Sequence, residues 1–215
     1  MIPIVPALIP KEESDVKSAL EKLSFSNEIH LDVVDGNFVR ATSWPYQPSG
    51  DPRSVKPYTD KFTLEVDLMS ARPLPAAVDW ITAGADMLVF HLETIELQNF
   101  RNFVEFTHVS INISAHGNTD LDTLVEYAET ADGIQLMGIK EIGSQGQPFD
   151  ESVCDKIEKV KSIFPQKPIT IDGSVNKDTI KLLADAGADR FIVGSAITLQ
   201  ENPQVAHAEL SSLIN

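Results

Sequence analysis

The chain has 215 residues, with 17 Lys and Arg against 32 Asp and Glu, which gives a formal net charge of −15. So acidic a chain is not expected to bind nucleic acid or an anionic membrane surface, since both are held by clusters of Lys and Arg. It has one cysteine, Cys154, which allows no internal disulfide, and the segment Met1 to Pro10 lacks the basic and apolar parts of a signal peptide, so a cytoplasmic protein is expected.

Short apolar segments rich in β-branched residues alternate with longer amphipathic segments along the whole chain. In the first half the predicted elements are strand Ile2–Ile9, helix Glu12–Leu23, strand Ile29–Val34, a loop over 37–58 with a short helix, strand Phe62–Met69, helix Leu74–Ala83 and strand Met87–His91. In the second half they are helix Phe100–Phe106, strand Val109–Ile113, helix Leu121–Thr130, strand Gly133–Met137, helix Glu151–Ile163, strand Ile169–Asp172, helix Lys177–Ala186, strand Phe191–Val193 and helix Pro203–Leu213.

Strict alternation of strand and helix favours parallel strands joined by right-handed crossovers. Eight strands predict a closed (β/α)8 TIM barrel over residues 1–215 as a single domain, although an open doubly wound sheet has the same local pattern. Two similar segments support closure, because they lie about half a barrel apart. They are Ala83-Gly84-Ala85-Asp86 before the fourth strand and Ala186-Gly187-Ala188-Asp189 before the eighth.

Polar side chains at the ends of the predicted strands are candidates for chemistry, because the active site of such a barrel lies where strands end and βα loops begin. If the inward faces are as the alternation indicates, four side chains converge near the barrel axis: His30, Asp32, Asp67 and Asp172. Crowded carboxylates require a proton or a cation, so a divalent ion such as Zn²⁺, Fe²⁺ or Mn²⁺ is expected. Asp35 and Glu93 are interpreted instead as helix caps or solvated loop acids.

Glycine and serine occur together in the loops after the sixth, seventh and eighth strands. Glycine permits close approach of the backbone to an anion, and the loops after strands seven and eight form the usual phosphate site of this barrel type. The predicted phosphate-binding residues are Gly143, Ser144, Gly146, Gly173, Ser174, Gly194 and Ser195. The glycine-rich loop after the sixth strand is expected to close over a ligand as a lid.

Taken together, these segments resemble the ribulose-phosphate 3-epimerase family. The strand-two segment His30-Leu31-Asp32-Val33-Val34-Asp35-Gly36-Asn37-Phe38-Val39 matches the family motif except that Val34 replaces Met. The resemblance continues through Asp67-Leu68-Met69 with Pro73, His91, Gly146-Gln147-Pro148-Phe149, Asp172-Gly173-Ser174 and Val193-Gly194-Ser195. It covers the chain nearly end to end. The segments Asp172-Gly173-Ser174 and His91-Leu92-Glu93-Thr94 are similar to the allulose-6-phosphate branch of the family.

The resemblance implies a barrel of the ribulose-phosphate-binding type and a ketose-phosphate 3-epimerase. It further implies that Asp32 and Asp172 form an acid–base pair and that His30, Asp32, Asp67 and Asp172 bind a divalent metal: Mn, Fe, Zn or Mg. The chain departs from the family at Asp67, which replaces a ligand His, at Ala7, which replaces a Ser, and in the 138–147 loop, where one residue is inserted. A site with three carboxylates should favour Mn²⁺ or Mg²⁺ over Zn²⁺.

Two hypotheses follow for function. The first is an epimerase that acts on a pentulose or hexulose phosphate, and the second is a non-catalytic or differently catalytic relative, for example a lyase, that keeps the phosphate site. The position of Asp67 discriminates between them, because a place in the metal cluster favours the enzyme and an ion pair with Lys or Arg favours the binding protein. The partner in both cases is a small sugar phosphate. Apolar residues on the outer helices are compatible with a homo-oligomer and equally with packing inside one subunit.

Overall fold

The computed structural model describes residues 2–143 and 146–215. Eight parallel strands form a closed barrel in sequence order, and β1 pairs with β8 through Ile4, Val5 and Pro6. The strands are β1 Ile4–Leu8, β2 Glu28–Val34, β3 Thr63–Met69, β4 Met87–His91, β5 Ser110–Ala115, β6 Gly133–Met137, β7 Ile169–Asp172 and β8 Arg190–Val193. The predicted closed barrel is therefore confirmed, and the open sheet is excluded.

Helices surround the barrel, between successive strands and after β8. They are α1 Glu13–Lys22, α2 Lys56–Thr59, α3 Pro73–Ala83, α4 Leu97–Phe106, α5 Leu121–Ala128, α6 Ser152–Ile163, α7 Ile180–Asp185, α8 Ser195–Thr198 and α9 Pro203–Ser212, with 3-10 turns at Pro52–Val55 and Leu92–Thr94. In the part of the chain that the structure describes, no helix has the length and apolar character needed to cross a bilayer.

Most predicted boundaries agree with the structure to within a few residues, and the exceptions have local causes. Helix α7 begins at Ile180 rather than Lys177, because the Asn176 side chain accepts a hydrogen bond from the backbone N–H of Asp178 at 2.9 Å and holds a turn there. Helix α4 begins at Leu97, three residues before the predicted Phe100, and is capped by Glu96 in extended conformation. The first strand is shorter than Ile2–Ile9 at both ends.

An aspartate before every second strand from β4 onward ties neighbouring strands together at the N-terminal end of the barrel. Asp86 accepts a hydrogen bond from the backbone N–H of Leu64 at 2.9 Å, and Asp189 accepts one from Ile169 at 2.9 Å. Asp132 accepts one from Ile111 at 2.7 Å in the same way. The two Gly-Ala-Asp segments in the sequence are thus strand anchors, which explains why they recur at this spacing.

The apolar core lies between the strands and the surrounding helices, whereas the barrel interior is largely polar. A small apolar group inside the barrel consists of Val5, Ala7 and Ile192. The buried polar residues include His30, Asp32, Glu65, Asp67, His91, Asn112, Ser114, Gln135 and Thr170. Because buried polar groups destabilise a fold unless they are paired, a polar interior of this kind indicates a functional site.

Candidate active site

Four side chains form a cluster near the barrel axis, which we call the acidic cluster: His30, Asp32, Asp67 and Asp172. Each offers one ligand atom, and these atoms all lie within 4.8 Å of one another. Strand register brings them together, because Asp32 pairs with Asp67 across β2 and β3, and Asp172 ends β7. The structure therefore places together the four residues that the sequence predicted to be metal ligands.

The charges in the acidic cluster are unbalanced. Burial raises the pKa of Asp172 to about 8, and the nearby charge of Asp32 adds to the effect. Burial also raises the pKa of Asp32. Burial opposes the charge of His30, but hydrogen bonds to Asp32 and Glu65 outweigh it and hold the pKa of His30 well above its ordinary value. Such a group of carboxylates requires protons or a cation, so the donor set fits a divalent metal.

Asp67 lies in the acidic cluster and makes no ion pair with Lys or Arg among the residues described. Its Oδ1 lies 2.9 Å from His91 Nε2, and its Oδ2 accepts a hydrogen bond from Gln135 Nε2 at 2.8 Å. Because a carboxylate oxygen has a second lone pair, both bonds leave Asp67 able to ligate a metal. Gln135 Oε1 and His91 Nδ1 are buried without a hydrogen-bond partner.

A second polar layer lies directly beneath the acidic cluster, on the side of the strand N-termini. Glu65 Oε2 lies 2.8 Å from both His30 Nδ1 and Arg190 Nη1, and Glu65 Oε1 accepts from Asn112 Nδ2 at 3.0 Å. Arg190 also donates to Glu28 at 3.0 Å. Although burial opposes ionisation, Arg190 and His30 lower the pKa of Glu65 to about 2, so this residue is a carboxylate.

The sequence analysis missed most of this second layer. Glu65, Arg190, Asn112 and Gln135 were not among the residues predicted from the sequence to bind a metal or a phosphate. The available signal was a charged or amide side chain at an inward position of an otherwise apolar strand, for example Arg190 at the start of β8. Its partner Glu65 is distant in the sequence, so the pairing itself had no local signal.

A cavity of about 300 Å³ opens above the acidic cluster at the C-terminal ends of the strands. Asp32 and Asp172 both line it. It is also lined by the predicted phosphate-binding residues Gly143, Gly146, Gly173, Ser174, Gly194 and Ser195. The remaining predicted residue, Ser144, lies outside the described residues. One cavity therefore adjoins both the acidic pair and the glycine-serine loops.

The loop after β7 has the conformation that its sequence requires. Gly173 has a φ of +94° and Ser174 a φ of +53°, so two consecutive residues lie in the left-handed region. A side chain at Gly173 would meet Ile139 at 2.7 Å, which limits this position to glycine. Ser174 Oγ donates to the carbonyl of Gln147, and this bond connects the β7 loop to the loop after β6.

One wall of the cavity is apolar. It contains Ala7, Met69, Met137, Ile139 and Ile192. Met137, Ile139 and Ile142 pack against Phe38 and Val39, so the loops after β2 and β6 form a shared roof. Ala7, where the resemblance in sequence implies a Ser, has no hydroxyl to offer a ligand.

Asp35 and Glu93 are structural residues, as interpreted from the sequence. Asp35 accepts hydrogen bonds from the backbone N–H groups of Asn37 at 2.8 Å and Ala71 at 2.9 Å, and therefore stabilises the loop after β2. Glu93 accepts from the backbone N–H of His116 at 2.8 Å. Neither lines the cavity.

Comparison with known sequences gives a consistent result. The sequence model of the ribulose-phosphate 3 epimerase family matches residues 3–198. A ribulose-phosphate 3-epimerase of Bacillus subtilis is 29% identical over 98% of this chain and 98% of its own length. A ribulose-phosphate 3-epimerase of Treponema pallidum is 28% identical over 90% of this chain and 89% of its own length.

Solved structures share the fold at lower identity. A 3-hexulose-6-phosphate synthase covers 100% of both chains with a TM-score of 0.73 and 18% identity. KGPDC from Streptococcus mutans covers 100% of this chain and 98% of its own, with a TM-score of 0.75 and 16% identity. At such identities the likeness concerns the barrel and not the reaction.

Proposed function

The chain belongs to the ribulose-phosphate 3 epimerase family, and we propose that it is a ketose-phosphate 3-epimerase in which Asp32 and Asp172 transfer protons on opposite faces of the substrate. The observation that carries the proposal is the cavity of about 300 Å³ which both aspartates line together with the glycine-serine loops. Relatives named ribulose-phosphate 3-epimerase match the chain nearly end to end and support a sugar phosphate as the substrate.

Substrate binding would begin at the loops after β7 and β8. Gly173, Ser174, Gly194 and Ser195 surround one end of the cavity, where backbone N–H groups and hydroxyls can hold a phosphate without side-chain charge. The ketose chain then extends over the acidic cluster toward the apolar wall. This placement leaves the reacting carbon between Asp32 and Asp172.

Inversion at this carbon needs one group that removes the proton and another that returns a proton to the opposite face. The two aspartates meet this need if one is ionised and the other protonated when the substrate arrives. Their proximity supports such a division, because burial holds the pKa of Asp172 at about 8 and the negative charge of Asp32 contributes to this rise. The reverse reaction exchanges the roles.

The acidic cluster fits a divalent cation held by His30, Asp32, Asp67 and Asp172. When bound, the cation would stabilise the negative charge of the enediolate. The three carboxylates and one imidazole would favour Mn²⁺ or Mg²⁺ over Zn²⁺. Asp67 supports the enzyme over the binding-protein alternative, because it lies within the cluster and not in an ion pair with Lys or Arg.

Deuterium exchange tests the proposal. In D₂O, the wild-type protein should incorporate solvent deuterium at C3 of a ketose phosphate, with ribulose 5-phosphate and allulose 6-phosphate as the first candidates. The variant Asp172→Asn should lose this exchange by about 10²–10⁴-fold, the usual contribution of a general acid–base, while inorganic phosphate still binds. Mass spectrometry measures the exchange.

The matched control is Asp185→Asn, which changes an exposed aspartate paired with Lys181 on α7. It should exchange like the wild type. Unchanged exchange in Asp172→Asn would reject the acid–base role of this residue. Absence of exchange in the wild type with every ketose phosphate, together with retained phosphate binding, would favour the sugar-phosphate-binding relative that lacks epimerase activity.

A further inference from the structure

Glu65 lies at the centre of a continuous polar chain that runs from the N-terminal end of the barrel to the acidic cluster. The order of contacts is Glu28, Arg190, Glu65 and His30, with distances of 3.0 Å, 2.8 Å and 2.8 Å. The side chains of Glu65 and His30 are 1% and 0% exposed, and that of Arg190 is 11% exposed. An ion pair this deep requires a reason, because apolar residues of similar volume often give equal or greater stability.

The geometry restricts the hydrogen positions on His30. A carboxylate can only accept, and Glu65 Oε2 lies 2.8 Å from His30 Nδ1, so the hydrogen of that bond must be on Nδ1. In the neutral ring, Nε2 then has its lone pair free. This Nε2 is the atom on the side of the acidic cluster, 3.2 Å from Asp32 Oδ1.

The surroundings of Glu65 keep its carboxylate in one orientation. Arg190 is a permanent cation that holds Oε2, and Asn112 Nδ2 holds Oε1 at 3.0 Å. Arg190 is itself fixed by two bonds to Glu28, from Nε at 3.3 Å and from Nη2 at 3.0 Å. The acceptor presented to His30 is therefore rigid.

We propose that Glu65 and Arg190 are positioning residues that hold the His30 ring with Nδ1 as the donor to Glu65, so that Nε2 faces the acidic cluster as a metal ligand. Ligand histidines generally donate their second N–H to a fixed acceptor, and loss of that acceptor typically reduces metal affinity about 10–100-fold. The metal part of this inference rests on the proposed function, whereas the orientation of the ring does not.

The decisive variant is the double substitution Glu65→Met and Arg190→Met, which removes the acceptor and its cation together and leaves residues of similar volume. We expect it to fold and to bind Co²⁺ about 10–100-fold more weakly than the wild type, measured by the visible absorption of the bound ion. In metal-free protein, proton NMR should show a slowly exchanging Nδ1–H resonance of His30 that the double variant lacks. The loss of this resonance in His30→Gln assigns it.

The control is the double substitution Arg101→Met and Glu129→Met. It removes an exposed ion pair between Arg101 on α4 and Glu129, directly after α5, whose charged atoms lie 3.5 Å apart. It should keep both the Co²⁺ affinity and the His30 resonance. Wild-type affinity in the double variant at Glu65 and Arg190 would overturn the proposal. If that double variant fails to fold, Glu65→Gln replaces it as the test. A loss of Co²⁺ affinity that is smaller than the loss expected for the double variant supports the proposal, and the Co²⁺ affinity of the wild type rejects it.

The two readouts separate this inference from the proposed function. If the wild type binds neither Co²⁺ nor Mn²⁺, the metal part of the proposed function is wrong. The Nδ1–H resonance then still tests the positioning of His30, since its presence in the wild type and loss in the double variant support the fixed ring. Its absence from the wild type contradicts the inference.

Discussion

Asp67 shows how one side chain adapts to its position in the barrel. The resemblance to the family implies a ligand His at this position, yet Asp67 lies in the acidic cluster and makes hydrogen-bond contacts with His91 and Gln135. Gln135 can form a hydrogen bond with either an Asp or a His at position 67, because its Nε2 donates to Asp67 and its Oε1 is buried without a partner. Rotation of this amide would supply an acceptor to an imidazole at position 67.

The substitution Asp67→His should therefore be tolerated and should shift metal preference toward Zn²⁺, since a second imidazole replaces a hard carboxylate. Metal analysis after dialysis against equal Zn²⁺ and Mn²⁺ measures this shift. Asp67→Asn, which removes the charge without adding an imidazole, serves as the control and should weaken both metals. An unchanged ratio of Zn²⁺ to Mn²⁺ in Asp67→His would contradict the role of Asp67 as a ligand.

Among the elements, the strand ends and the loops that follow them position the candidate site. The loop after β6 lies against the loop after β7, and Gly138 N donates to the Asp172 carbonyl at 2.7 Å. A side chain at Gly138 would overlap the Gly173 carbonyl oxygen, which is backbone and cannot move aside alone. The position of the candidate phosphate loop thus depends on a residue that does not line the cavity.

The variant Gly138→Ala should displace the Gly173 peptide and weaken the binding of inorganic phosphate, which we expect near Ser174 and Ser195. The added methyl should also cost about 1–3 kcal/mol of stability, as is typical of overpacking. Calorimetric titration with phosphate measures the first effect, and urea unfolding measures the second. Gly117→Ala is the matched control, because its added methyl would meet only Asp150 Oδ2 at 3.8 Å. Phosphate affinity equal to that of the wild type in Gly138→Ala would show that the loop does not depend on this contact.

At the scale of the whole molecule, the barrel keeps a polar interior inside an apolar shell. The acidic cluster brings several carboxyl groups close together, and the folded chain accommodates them by binding protons or, as proposed, a cation. Asp172 has a pKa of about 8 against an ordinary value of 3.8, and the pKa of His30 is well above its ordinary 6.5. Both groups bind more protons in the folded state than in the unfolded state, so the stability they govern decreases as the pH rises.

In the presence of a chelator, the free energy of unfolding should therefore fall as the pH rises from about 5 to about 8. Glu65 has the opposite sign, but with a pKa of about 2 against 4.5 its contribution is complete below this window. Urea unfolding across the window measures the slope. Mn²⁺ should reduce the slope because it replaces the protons, and Asp172→Asn should reduce it to the contribution of His30. If the free energy of unfolding of the metal-free wild type stays constant or increases over this pH range, the raised pKa values of Asp172 and His30 are contradicted.

The sequence alone was sufficient to predict the eight strands, the four members of the acidic cluster and the glycine-serine loops. Periodicity determines such elements locally, and in a barrel the inward-facing residues of the strands must meet around one axis, as His30, Asp32, Asp67 and Asp172 do. Closure itself needed the structure, because pairing of β1 with β8 joins the two ends of the chain and leaves no local trace.

Only the tertiary structure shows the layer beneath the acidic cluster. Arg190 reaches Glu65 from a position 125 residues away, and Gln135 reaches Asp67 from 68 residues away. Strand register determines these contacts, and register depends on the packing of all eight strands together. The residues that supply ligands could therefore be found from their types and spacing, whereas the residues that orient those ligands became visible only when the barrel was closed.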